Sequence, residues 1–136
     1  VTVPGFLLRR LYVKQSLRNN PTGFQFELRN QLGSGYAHKL LPLTLDGEEM
    51  PPASTFFVQG GNETAFSDVS KDNTFTLAMN RTIKIWVEGV RLELGPRKVG
   101  MGFHVPGLGV LKFDFVEVIK NDLFLEQCSD PGLKPE

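Results

Sequence analysis

Residues 99–116, VGMGFHVPGLGVLKFDFV, accept essentially one strand register, and that register limits what the rest of the chain can fold into. With residues 105–109 as the loop, Phe103 falls opposite Leu111, Met101 opposite Phe113 and Val99 opposite Phe115, so every apolar side chain lies on one face. A loop one residue shorter sets Phe103 against Lys112. Strict alternation along the strands then sends half of the apolar set into water. The other face carries Gly100, Gly102, His104, Lys112 and Asp114. Its two glycines leave a lane of bare backbone, which marks a bulge or lets another surface come close.

The same alternation recurs along the chain. Residues 7–17 read as a first long strand with Leu11, Val13 and Leu17 on one face, turned back at Asn19-Asn20-Pro21-Thr22-Gly23 into a second with Phe24, Phe26 and Leu28 inward. The glycines of Leu32-Gly33-Ser34-Gly35-Tyr36-Ala37-His38 end that hairpin in a loop. A third strand follows with Leu41, Leu43 and Leu45 inward, where Pro42 implies an edge or a bulge. Asp46-Gly47 supplies a turn, and Gly60-Gly61-Asn62 joins strands at residues 55–59 and 63–67. Residues 75–79 and 83–87 are expected to pair as a hairpin around residues 80–82, because the alternative, one long strand, puts Arg81 inward at a high cost. Val90, Leu92 and Leu94 continue the pattern after Gly89. Beyond Ile119 it fades: residues 121–127 suit a helical turn or a last strand, and the end of the chain reads as a tail.

No stretch of helical length shows i, i+3, i+4 apolar spacing, so the chain is expected to be all-β. Eight or nine strands with one polar face each imply a two-layer antiparallel β-sandwich, with a closed barrel as the rival. At 136 residues this is a single domain, residues 1–136, with a core over residues 6–119 and a tail over 120–136. Eleven Phe with fourteen Gly and nine Pro suit short strands between tight turns. Fifteen basic and fifteen acidic residues cancel, without a basic run interleaved with aromatics, so neither nucleic acid nor an anionic membrane is an expected partner. The apolar runs are too short for a membrane-spanning helix. Cys128 is the lone cysteine and cannot form an internal disulfide; the expected location is a reducing cytoplasm.

The residues that carry chemistry are sparse. Cys128 lies in the weakly patterned tail, and no nucleophile elbow is present. His38 and His104 belong to no metal-binding spacing and read as surface residues; of the two, His38, closing a glycine-rich loop, is better placed to meet a ligand. Gly33-Ser34-Gly35 and Gly100-Met101-Gly102 lack the helix a dinucleotide fingerprint needs. Asp46, Glu48, Glu49, Asp114 and Glu117 are available as acids or bases, but their spacing assembles no pair. No catalytic residue and no metal ligand is assigned, and the chain reads as a scaffold or binding module.

The segments Pro4-Gly5-Phe6-Leu7-Leu8-Arg9-Arg10-Leu11-Tyr12-Val13-Lys14, Leu32-Gly33-Ser34-Gly35-Tyr36-Ala37-His38, Leu41-Pro42-Leu43-Thr44, Phe66-Ser67-Asp68-Val69-Ser70 and residues 100–109 resemble the small β subunit of bacterial C-glycoside deglycosidases. The resemblance, over residues 4–118, implies the accessory subunit of a carbon–carbon lyase that cleaves 3-oxo-C-glycosides of plant phenolics. It also implies a larger TIM-barrel-like α subunit as partner, which holds a divalent metal, expected to be manganese, so that this chain carries no cofactor. Enolate formation at that metal would drive the elimination, with the C-glycoside at or near the interface. On this reading Gly33, Ser34, Gly35, Tyr36 and His38 form the loop facing substrate or partner, with Tyr36 as an anchor, and Gly100, Gly102 and His104 a partner-facing sheet. The alternative from a different class is a free-standing carbohydrate-binding sandwich.

Overall fold

The computed structural model describes residues 4–120, and the hairpin read from the sequence is its longest feature. In chain order the elements are α1 (Gly5–Leu8), a 3-10 turn (Arg9–Leu11), β1 (Arg18–Asn19), β2 (Gly23–Arg29), β3 (Gly35–Ala37), β4 (Lys39–Leu40), β5 (Thr44–Leu45) and β6 (Glu48–Glu49). They continue with β7 (Thr55–Gln59), β8 (Asn62–Ala65), β9 (Phe75–Leu77), β10 (Thr82–Glu88), β11 (Gly95–Val105) and β12 (Gly109–Ile119). Cys128 and the helix-or-strand reading of residues 121–127 lie outside the described residues.

Phe103 pairs with Leu111, Met101 with Phe113 and Val99 with Phe115, and the pair Val105–Gly109 closes the turn, as alternation requires. The fold is all-β and sandwich-like, with antiparallel sheets and no closed barrel. One sheet runs β1-β2-β10-β7-β8; the other runs β12-β11-β5-β6, with β4 also on β11; β3 and β9 form a third, two-stranded sheet. Aromatic rings stitch the layers together. Phe26 of the first sheet meets Phe115 of the second edge-on at 5.3 Å, and Phe75 on β9 lies between Phe57 of the first and Phe103 of the second, at 4.9 and 6.3 Å. Twelve strands occur among the described residues, more than the eight or nine expected, because the short strands β1, β3, β4 and β6 add to the longer ones; of the expected strand over Leu41, Leu43 and Leu45 only Thr44–Leu45 forms, since Pro42 cannot donate to the ladder.

The N-terminal stretch differs from its expected strand. Leu7 and Leu8 both donate their N–H to Pro4 O, and Leu8 and Leu11, three residues apart, are buried on one side of the resulting turn. Tyr12 then bridges to Leu28, after which Gln15, at φ 68°, takes the chain off the sheet before β1 rejoins β2. Arg9 Nε donates to Asp114 O at 2.6 Å along the outer side of β12, and a Cβ on Gly5 would lie 3.6 Å from Lys112 O.

The expected hairpin of residues 75–87 does not form either. β9 pairs with β3, while β10 lies between β2 and β7. Asn80, at φ 61°, turns the chain from one sheet to the other and donates its N–H to Asn30 O at 2.7 Å, which leaves Arg81 in water without a strand having to bury it. Between Gly89 and Gly95 no strand forms. Leu92 is buried and held by both amide atoms of Asn19, which donates to Leu92 O and accepts from Leu92 N, whereas Leu94 is exposed.

Candidate functional site

β2 ends at Arg29 and the next side chain, Asn30, is only 1% exposed. It is satisfied on all sides: Nδ2 donates to Gly33 O (2.7 Å) and Leu77 O (2.9 Å), and Oδ1 accepts from Leu32 N (3.0 Å) and Gly33 N (3.3 Å). Asn30 therefore pins the glycine-rich loop to β9. Ser34 Oγ adds a further tie by accepting from Met79 N.

The pinned loop is one wall of an apolar cleft of about 250 Å³. Gly33, Ser34, Gly35 and Tyr36 line it on one side, Leu8 and Leu11 on another, and Phe103, Leu111 and the turn residue Leu108 on the third. The rim is apolar as well, because Tyr36 is 51% and Leu108 41% exposed. Leu32 is shared with a wider neighbouring groove of about 750 Å³, lined by Arg9, Arg10, Lys14, Phe6, Val116 and Glu117 among others. Arg9 is occupied by Asp114 and Glu117 by Tyr12 and Gln15, which leaves Arg10 and Lys14 without a side-chain partner among the described residues.

His38, assigned to the loop, does not line this cleft. It meets His104 instead: His104 Nδ1 on β11 and His38 Nε2, at the bend between β3 and β4, are 2.8 Å apart and both residues are half-buried. No spacing signal in the sequence joins the two imidazoles, since only the pairing of β4 with β11 brings them together. The glycine lane is filled by this chain's own side chains. A Cβ on Gly100 would lie 2.4 Å from Thr44 Oγ1, and one on Gly102 2.8 Å from Leu41 Cδ1, so the surface that comes close here is the β4–β5 connection.

Three of the five candidate carboxylates have structural partners, whereas Glu48 and Glu49 lie exposed on β6. Asp46 accepts from Arg97 Nη1 and Lys98 N, Asp114 pairs with Arg9 and Lys98, and Glu117 accepts from the Tyr12 hydroxyl at 2.5 Å and from Gln15 N at 2.6 Å. Tyr12 stacks on Phe115 with ring centroids 3.6 Å apart, and its oxygen accepts from Leu17 N. Burial first, and then the hydrogen bond to Glu117, push the Tyr12 phenol well above its ordinary range. The folded state thus holds this proton more tightly than the unfolded chain does. The resulting stability is complete below the ordinary phenol pKa of about 10 and is lost as pH rises above it. Melting curves between about pH 9 and 12 are expected to fall more steeply for the native chain than for Tyr12→Phe; parallel curves would contradict this.

No curated protein matches the chain. The family model for the hydroxymethylglutaryl-CoA reductase N-terminal domain matches residues 7–120. That match overturns the resemblance to the β subunit of C-glycoside deglycosidases, and with it the lyase function and its 3-oxo-C-glycoside substrate. The segments that carried the resemblance are rich in Gly, Pro and Leu, the residues any chain of short strands and tight turns places at such positions. Nothing found supports the free-standing carbohydrate-binding alternative. The match covers every described strand and both walls of the cleft built from the loop and the hairpin, and the chain belongs to the family of the hydroxymethylglutaryl-CoA reductase N-terminal domain.

Proposed function

We propose that this chain is a docking module, without chemistry of its own, that binds a larger catalytic polypeptide through the apolar cleft and the cationic groove beside it. The observation that carries the reading is the cleft's size and lining. At about 250 Å³ it is smaller than the roughly 300–1,000 Å³ of most small-molecule sites, and the Asn30 and Ser34 side chains in its lining are already engaged by the loop's own hydrogen bonds. Such a space suits one aromatic or aliphatic anchor projecting from a protein surface. Arg10 and Lys14 next to it select a partner segment in which carboxylates flank that anchor. The family's description, an N-terminal domain of a reductase, supports a catalytic region as that partner, in the same polypeptide or a separate one.

The test is titration of the chain against a hydroxymethylglutaryl-CoA reductase catalytic region supplied separately, by calorimetry at low and high salt. Leu108→Asp puts a charge at the mouth of the cleft, on an exposed turn where the fold tolerates it, and is expected to weaken binding by about tenfold or more. Arg10→Glu is expected to weaken it mainly at low salt. Absence of binding by the native chain, or binding unaltered by Leu108→Asp, would overturn the reading.

A further inference from the structure

We infer that His38 and His104 form a two-imidazole site for a divalent transition-metal ion of the zinc class. The inference is independent of the docking reading, since neither histidine lines the cleft.

The strands bring the rings together. His38 N donates to His104 O across the β4–β11 pairing at 3.2 Å, so the two side chains leave neighbouring backbones. The facing nitrogens, Nδ1 of His104 and Nε2 of His38, are 2.8 Å apart, with ring centroids separated by 4.6 Å and planes inclined by 56°. At that distance one facing nitrogen carries a proton and the other offers its lone pair.

A metal ion takes the place of that proton. Two Zn–N bonds of about 2.0–2.1 Å at a tetrahedral angle set the nitrogens roughly 3.3 Å apart, so the pair must open by only about half an ångström. The shared proton moves to the outward nitrogen of the ring that held it, either Nε2 of His104 or Nδ1 of His38. Both rings then remain neutral and both facing lone pairs reach the metal. Imidazole nitrogen suits zinc, copper and nickel rather than magnesium or calcium. Among the described residues no group of three or more His, Cys, Asp or Glu side chains is placed to hold a metal, so the other coordination positions go to water or to a ligand from outside the chain. The site is open rather than structural.

The experiment is zinc titration of the full chain by calorimetry in a Cys128→Ser background, which removes the lone thiol as a competing ligand. Saturable uptake of one zinc per chain and a metal-dependent rise in melting temperature are expected. His104→Ala and His38→Gln are each expected to weaken uptake by about tenfold or more. The glutamine keeps a side-chain hydrogen bond between the strands, so its circular dichroism and metal-free melting separate loss of a ligand from loss of fold. A native chain without one-to-one uptake, or a folded His38→Gln chain that binds zinc as tightly as the native one, would overturn the inference.

Discussion

Gly23→Ala is expected to lower the melting temperature by about 10 °C or more, from a loss of about 3 kcal/mol. Gly23 opens β2 opposite Glu88 of β10, and a Cβ built there falls 1.8 Å from Val87 O and 2.9 Å from Val87 C. Those atoms are backbone and cannot swing aside. The methyl group must push β2 away from β10, and this ladder carries Phe24, Phe26 and Leu28 opposite Val87, Ile85 and Ile83, all six in the core. Gly35→Ala is the matched control: its Cβ would meet nothing within 4 Å, and the change is expected to stay within about 0.5 kcal/mol. Urea or thermal unfolding of the two variants measures the contrast. A Gly23→Ala chain as stable as Gly35→Ala would mean that β2 and β10 do not pair as described.

Asn30→Ala is expected to cost about 3 kcal/mol and to remove docking along with it. Four hydrogen bonds converge on this buried amide, and its truncation leaves Leu77 O, Leu32 N and both backbone polar groups of Gly33 without their partner. Each is a separate desolvation cost unless water enters. The effect also extends beyond stability, because the residues released are those that wall the cleft. Binding to the catalytic region is therefore expected to fall even under conditions where the variant remains folded. Ser34→Ala deletes a single bond, from Met79 N, and is expected to cost about 1 kcal/mol or less. Unfolding in urea with binding measured in parallel checks both; equal losses for the two variants would show that Asn30 is not the pin.

The features that could be read from the sequence are those with a strict local period. The β11–β12 register followed from alternation over residues 99–116, where any slip exposes several large apolar groups. The Asp46-Gly47 and Gly60-Gly61 turns followed from residues that adopt positive φ, as both pairs do. Residues 7–17 were misread because Leu8 and Leu11 suit a helical face while Leu11, Val13 and Leu17 suit a strand, and only packing under β12 decides between them. Residues 75–87 were misread because two adjacent strands in sequence pair by default, and nothing local tells β9 to pair with β3 instead. The loop of the candidate site could be read from its glycines. Its pin, Asn30, could not, since a buried asparagine is recognised only by the carbonyls that surround it. The two histidines lie 66 residues apart and met only once the sheet order was known.

The contact between the N-terminal turn and β12 has one more consequence. The eleven residues of β12, an outermost strand that exposes Val110, Val116 and Val118, offer a row of carbonyl groups on which another molecule could extend the sheet. Arg9 occupies Asp114 O and Gly5 stands against Lys112 O, so a guanidinium and a helical turn sit where an incoming strand would have to hydrogen-bond. This short helix, which also buries Leu8 in the core, therefore covers hydrogen-bonding positions along the longest edge of the fold and opposes strand addition there.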